Sequence, residues 1–348
     1  MTTIHFVVPG DPETRTGGYL YDKQIVRGMR AAGRRVVVHA LLGPFPQAGA
    51  DALENAARVF AGLPDGSLVV VDGLAFGVLP DLATRESKRL RLVALVHHPL
   101  AFETGLAGDA HKRLFASETA ALGHARRIIV TSAATAALLG AYGVEAARIA
   151  VVEPGNERAP PAVGRAAPGL GLLCVATLTP RKGHVVLIEA LARLKDREWQ
   201  LTCAGGAHFD PACARAIRNR IVAHGVGHLV TLTGDVGCAR LDALYGAADV
   251  FVLASFFEGY GAVLSEALAR GLPIVSTTGG AIPDTVPAGA GLLVAPGDPA
   301  RLAAALGRVL DDPALVSRLR GKALRARAGL ASWPTAAARF AAELDRAA

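Results

Sequence analysis

Glu258 and Glu266 stand eight positions apart, with Gly259, Tyr260 and Gly261 and then the apolar start of a helix between them. The run from Asp249 to Ser255 before them reads as a buried strand, and Ala262 to Arg270 reads as a helix closed by Gly271. Strand, glycine loop and helix form the arrangement in which an open α/β sheet binds a ligand at a strand's carboxyl end. The helix N-terminus there offers free N–H groups and a partial positive charge to an anion. A phosphorylated ligand is the natural expectation. Two acids repel phosphate, so their task is a different one, accepting hydrogen bonds from the hydroxyls of a sugar or ribose. The combination points to a sugar nucleotide. A Glu in the first turn of a helix, where Glu266 is expected, is favoured by the helix dipole alone, and a Gly-x-Gly loop alone is weak evidence. Glu258 lies instead in a loop of bulky aromatics where no helix needs it.

A second cluster supplies the opposite charge. Thr179-Pro180-Arg181-Lys182-Gly183-His184 follows a strand near Gly171 to Ala176, which places a guanidinium and an ammonium beside a helix N-terminus. That pairing suits a diphosphate leaving group. A solvent-facing basic turn explains it equally well in isolation, but the chain has 31 arginines and only six lysines, so a lysine here is not background. His97 and His98 close the strand Leu90 to Val96. A lone His is usually structural; at a strand's carboxyl end either ring could bond a sugar hydroxyl or stabilise charge. Gly17 and Gly18 end the loop Thr14 to Gly18 just where a helix begins, and small residues there let N–H groups approach an anion. Ser276 to Gly280 and Cys203 to Gly206 end two further strands with small donors, and each also fits an ordinary turn.

The elements that must hold these residues alternate. In the first part come strands at Ile4 to Val8, Arg35 to Leu42, Ser67 to Asp72, Leu90 to His97, Arg127 to Thr131 and Ile149 to Val152. Helical runs lie between them at Tyr19 to Ala32, Leu74 to Arg85, His111 to Gly123 and Ala133 to Tyr142. Continuous apolar strands separated by helices mean a doubly wound parallel sheet. The turn-rich segment 156–169 reads as a linker between a first domain, 1–155, and a second, 170–332, built the same way. The expected ligand site is the cleft between the two. Residues 333–348 form a last helical stretch, left over from the second sheet and free to cross back to the first.

Composition excludes several classes. At 348 residues the chain fits two domains, and 51% apolar content does not limit burial. No apolar run approaches the roughly 20 residues of a spanning helix, and no signal peptide is visible before Ile4. Cys174, Cys203, Cys213 and Cys238 lack C-x-x-C spacing, which argues for a reducing cytoplasm and against a zinc site. The net charge of +7 comes mainly from beyond residue 155, where Arg318, Arg320, Lys322, Arg325 and Arg327 cluster near one helix. That face is most simply solvated; it would also suit peripheral contact with an anionic membrane at its inner face. No basic–aromatic alternation marks a nucleic-acid surface, and no oligomeric state can be read.

Taken together, Gly17-Gly18, a His after a first-domain strand, Pro180-Arg181-Lys182-Gly183, the E-x7-E element Glu258 to Glu266 and Thr278-Gly279-Gly280 resemble the family four retaining glycosyltransferases of GT-B architecture. The resemblance implies that Glu258 contacts the donor sugar, Glu266 the nucleotide ribose and Lys182 the diphosphate, assisted by backbone around Gly261 and Gly18. It implies base contacts from backbone near Asp235-Val236, His97 beside the transferred sugar, and no cofactor or required metal; no Asp-x-Asp motif contradicts this. Two positions depart from the pattern. An Arg usual a few residues before the Lys is replaced by Ala176 or Thr177, leaving Arg181 as the nearby substitute, and Asp284 stands where a Glu is usual. The expected activity is retaining transfer of a sugar from a nucleoside-diphosphate sugar to a hydroxyl acceptor whose identity cannot be read. A sugar-nucleotide epimerase and a non-catalytic nucleotide-sugar binder are the alternatives. A dehydrogenase is disfavoured because the first loop lacks G-x-G-x-x-G.

Overall fold

The computed structural model describes residues 3–106 and 108–348. The chain divides into two compact units, the first running to Gly155 and taking back Ala331–Ala348, the second comprising Asn156–Leu330.

The first unit contains β1 (Ile4–Pro9), α1 (Gly17–Ala31), β2 (Val36–Leu41), α2 (Ala50–Ala61), β3 (Leu68–Asp72), α3 (Gly73–Phe76), α4 (Pro80–Glu86), β4 (Arg91–Val96), α5 (Gly108–Gly123), β5 (Arg127–Val130), α6 (Ala133–Leu139) and β6 (Ile149–Val151). Its six strands are all parallel, in the order β2-β1-β3-β4-β5-β6. Every residue of β3 is buried, as a strand covered on both faces requires. Alternate residues serve opposite faces: Phe6 and Val70 join one core cluster, Val7 and Val71 the other.

Two local readings change. The single helix anticipated over 74–85 is two, because Pro80 occupies the first turn of α4 and cannot continue a preceding helix. Helix α2 was not anticipated, although its buried stripe, Ala52, Ala56 and Phe60, has four-residue spacing and faces away from an exposed side carrying Asp51, Glu54 and Arg58.

The second unit contains β7 (Leu170–Val175), α7 (His184–Ala192), β8 (Trp199–Ala204), α8 (Pro211–Ala223), β9 (Val230–Gly234), α9 (Cys238–Gly246), β10 (Val250–Leu253), α10 (Ala262–Ala269), β11 (Ile274–Thr277), α11 (Ile282–Thr285), β12 (Gly291–Val294), α12 (Pro299–Asp311) and α13 (Pro313–Ala326). Its parallel sheet runs β12-β11-β10-β7-β8-β9. Residues 156–169 are packed on this unit: Ala162 N–H donates to Arg270 O (2.8 Å) and Val163 N–H to Gly246 O (2.9 Å). From the basic cluster, Arg320 and Arg327 donate to the carbonyls of Ala162 and Ala159, so two of its five charges hold the incoming chain.

The last helix, α14 (Trp333–Ala347), belongs to the first unit. Trp333, Phe340 and Leu344 share a core cluster with Phe6, Ile25 and Val70, so α14 and α1 together cover one face of the first sheet. Arg34–Asp345 and Arg127–Glu343 ion pairs fix its rim.

Candidate functional site

Each sheet has one place where neighbouring strands send their connections in opposite directions, and open α/β sheets bind ligands at the carboxyl ends of such strands. In the second unit this falls between β7 and β10, in the first between β1 and β3. The charged residues of interest gather at both.

Beyond β7, a short 3₁₀ turn at Pro180–Lys182 leads into α7 through Gly183. Gly183 has φ +67°, and a Cβ there would lie 2.0 Å from Ala254 O. Only glycine lets this turn press against the end of β10. Lys182 is thereby brought to Glu258, with Nζ donating to Oε1 at 2.6 Å. Ser255 Oγ donates to the same oxygen at 2.6 Å, and Arg181 stands 3.6 Å from Oε2 while donating to Phe257 O at 2.9 Å. Beneath this loop lies Gly280, φ +62°, whose missing Cβ would be 2.3 Å from Glu258 O. Ala281 N–H donates to that same carbonyl at 2.9 Å.

The electrostatics follow from burial. Glu258 is 5% exposed. Burial alone would raise its carboxyl, but the Lys182 and Arg181 charges and the bonds from Lys182 and Ser255 outweigh it and hold it below the usual range. Burial lowers the Lys182 ammonium, opposed by the Glu258 carboxylate. The result is an ionised pair at a strand end: an acceptor for hydroxyls beside two cations.

Glu266 lies elsewhere on the motif. It sits in the second turn of α10, which has no acid in its first turn, so the dipole explanation does not apply to it. Its Oε2 accepts from Tyr245 Oη at 2.9 Å, and burial raises its carboxyl despite that bond. The Arg270 guanidinium lies 4.4 Å over the same tyrosine ring. Gly261 caps α10, Thr285 Oγ1 donates to Tyr260 O at 2.5 Å, and Gly259 is buried in the same loop. Val236 is half-buried between β9 and α9.

In the first unit Gly17 and Gly18 begin α1. His97 follows β4 and meets two carboxylates absent from the sequence reading: Asp22 of α1, 2.9 Å from Nε2, and Asp72 at the end of β3, 3.3 Å away. Gly18 adjoins this ring, since a Cβ on it would be 3.2 Å from His97 Cδ2. His98 instead has Nε2 4.0 Å from Glu103. The loop carrying both histidines is held by Glu118 of α5, which accepts from the N–H groups of Leu100 (2.6 Å) and Ala101 (2.9 Å) and from Tyr142 Oη (2.7 Å). A signal for Asp22 was present: it is the one charged member of the buried stripe Tyr21, Asp22, Ile25, Val26, Met29.

Cys174 and Cys203 face each other across β7 and β8, and with His184 they are buried and close enough to share a metal ion, a juxtaposition that sequence spacing does not reveal. The hydrogen bond from the Cys203 thiol, with the nearby His184, holds Cys174 below the ordinary thiol range. Asp22, Asp72 and His97 are equally compact, but there the carboxylates already face the imidazole. An open groove of about 590 Å³ on the helical side of the second unit, lined by Arg193, Arg197, Gly307 and Asp311 among others, contains none of these residues.

Two doubly wound parallel units, each with a polar cluster at its switch point, are the architecture of the GT-B glycosyltransferases. Residues 3–157 match the family described as Glycosyltransferase Family 4, and residues 169–312 that described as Glycosyl transferases group 1. The chain belongs to the family 4 glycosyltransferases. It is 30% identical over 313 residues to an MMP alpha-(1->4)-mannosyltransferase of Mycolicibacterium hassiacum, covering 84% of this chain and 74% of that protein. It is 33% identical over 231 residues to a D-inositol 3-phosphate glycosyltransferase of Streptomyces avermitilis, covering 61% of this chain and half the length of that relative. Among solved structures, the sucrose-phosphate synthase of Thermosynechococcus elongatus superposes with a TM-score of 0.85 at 24% identity over 99% of each chain. The Anabaena HepE protein, solved in complex with UDP-glucose, does so at 0.77 and 18% identity over 99% of this chain and all of the other. Among the described residues no helix is long and apolar enough to cross a membrane.

Proposed function

We propose that the chain is a retaining hexosyltransferase that moves a sugar from a nucleoside-diphosphate sugar to a hydroxyl acceptor without a required metal. The observation that carries this reading is the Lys182–Glu258 pair, bonded at 2.6 Å at the switch point of the second sheet. A diphosphate needs cations and N–H groups, which Arg181, Lys182 and the N-terminus of α10 supply. An ionised Glu258 is the complementary acceptor for sugar hydroxyls. In this reading the incoming diphosphate takes Lys182 as its counter-ion, and Glu258 exchanges an ammonium for a hydroxyl. The C–O bond to the diphosphate breaks, leaving an oxocarbenium-like centre. The acceptor hydroxyl adds on the same face and passes its proton to the departing phosphate. Lys182 and Arg181 stabilise the charge that develops there.

Glu266, oriented by Tyr245, serves the ribose; backbone near Val236 serves the base; His97 and the Gly17-Gly18 turn serve the sugar and phosphate. The names of the relatives support glycosyl transfer, and the UDP-glucose held by HepE supports a nucleotide-sugar donor. The acceptor would be a hydroxyl of a glycolipid, polysaccharide or small glycoside. Four cysteines without disulfides fit a reducing, cytoplasmic setting. The test is a thermal-shift and product-release screen of the purified protein against a panel of nucleotide sugars. One donor should raise the melting temperature and release its nucleoside diphosphate when acceptor is present. Wild-type turnover in both Lys182→Ala and Glu258→Ala, or no response to any nucleotide sugar, would overturn the reading.

A further inference from the structure

The Asp22–Asp72–His97 cluster has a feature that the proposed transfer does not by itself require: both carboxylates address the same ring nitrogen. Nε2 is 2.9 Å from Asp22 Oδ1 and 3.3 Å from Asp72 Oδ2. The two acids come from different elements and are separately fixed. Asp22 is 4% exposed in the buried stripe of α1, and Asp72, 6% exposed, also accepts from Leu74 N–H at 2.7 Å as the cap of α3. The ring has little freedom to turn away. Tyr21 meets it edge-on with centroids 5.2 Å apart, and Gly18 stands against its Cδ2 edge.

Two buried carboxylates with no cation would be expensive, and an imidazolium between them removes most of that cost. Burial on its own lowers the His97 pKa, yet Asp22 and Asp72 outweigh it and lift it to about 10. Burial raises Asp22 to about 7, with His97 pulling the other way and the neighbouring Asp72 adding to the rise. The other polar groups facing the ring's surroundings leave this balance in place. From α1 come Tyr19, whose hydroxyl donates to Pro9 O, and Tyr21, whose hydroxyl donates to Val152 O. Thr131 Oγ1, after β5, donates to the His97 carbonyl, and His98 with Glu103 lies in the same loop.

We infer that Asp22 and Asp72 are positioning residues that keep His97 as an imidazolium with Nε2–H committed to them, so that His97 meets the sugar as a hydrogen-bond donor through Nδ1–H. The assignment rests on the proposed reading that a donor sugar reaches His97. An imidazolium has no lone pair, so His97 cannot be the base that takes the acceptor's proton. Its partner must be an acceptor atom, which for the transferred sugar is a hydroxyl oxygen. This agrees with the departing phosphate as the proton's destination in the proposed transfer.

The test is a pH titration of the full-length protein labelled at histidine nitrogen, followed by NMR, with His97→Gln used to assign the ring. Wild type should keep the imidazolium signature through pH 8.5. Asp22→Asn and Asp72→Asn, read separately so that failure of one to fold leaves the other, should each lower the midpoint by about two units. With the donor identified by the nucleotide-sugar panel, His97→Gln, which can still donate, should stay within about tenfold of wild-type kcat, while His97→Ala should lose about a hundredfold. Transfer by Asp72→Asn should fall as pH rises through its lowered midpoint, whereas wild type stays flat there. A neutral-imidazole signature in wild type at pH 7.5, variants that titrate like wild type, or a folded His97→Gln as inactive as His97→Ala would overturn the inference. If no nucleotide sugar turns over, the transferase reading fails, and the NMR titration still decides the protonation state.

Discussion

Lys182 and Glu258 are a buried pair, and removing one partner of such a pair leaves the other uncompensated. Glu258→Gln is therefore expected to destabilise the second unit by about 3–5 kcal/mol, and Lys182→Met with Glu258→Gln together by less than the single change. Urea melts of the three proteins check the order. The pH dependence has a definite sign. Glu258 is held below its unfolded value of about 4.3, so its contribution is present above that pH and is lost as pH falls through the folded value. Wild type should lose stability more steeply than Glu258→Gln between pH 5 and pH 3, as read by denaturant titrations across that range. Glu258, Arg181 and Lys182 were legible because their chemistry is written in short consecutive stretches. Asp22 and Asp72 were not singled out, since each matters only through His97, which the fold brings up from as far as 75 residues away; Ser255, three residues before Glu258, was passed over as the end of a strand.

Short elements set the geometry of these residues. The turn Pro180–Lys182 depends on Gly183, whose positive φ and 2.0 Å approach to Ala254 O leave no room for a side chain. Gly183→Ala should fold but displace the turn. Its thermal shift with UDP or the matching nucleoside diphosphate should shrink towards zero, and an unchanged shift would show that the turn does not bind phosphate. Glu118 has the same standing in the first unit, clamping the loop that carries His97 and His98. Glu118→Ala leaves two N–H groups without their acceptor, so amide exchange of residues 97–103 should accelerate while the strands stay protected. The alternation of strands and helices was legible because parallel strands buried on both faces read as continuous apolar runs. Helix α2 was equally legible and was missed: Ala52, Ala56 and Phe60 line one face and Asp51, Glu54 and Arg58 the other.

At the scale of the molecule, the chain builds the same sheet class twice, and that much follows from patterning alone. Where one unit ends does not. Residues 156–169 have linker composition, yet arginines from α13 and backbone bonds to Gly246 and Arg270 seat them on the second unit. The first unit in turn is discontinuous in sequence. Phe340 is fully buried against Phe6 and Tyr21, with centroids 6.3 and 6.4 Å away, so Phe340→Ala should cost about 3–5 kcal/mol. Residues 156–330 expressed alone should give cooperative unfolding, whereas residues 1–155 alone should not, until a peptide spanning 331–348 is added. Circular dichroism melts of the fragments check this. During synthesis the consequence is a reversal of order. A ribosome extrudes the strands of the first sheet and α1 before the second unit, but α14, which with α1 covers one face of that sheet, emerges only after the entire second unit. The first unit must wait, with one face incompletely covered, for residues 331–348, so an early stop codon after Leu330 would damage that unit before the one nearer the break.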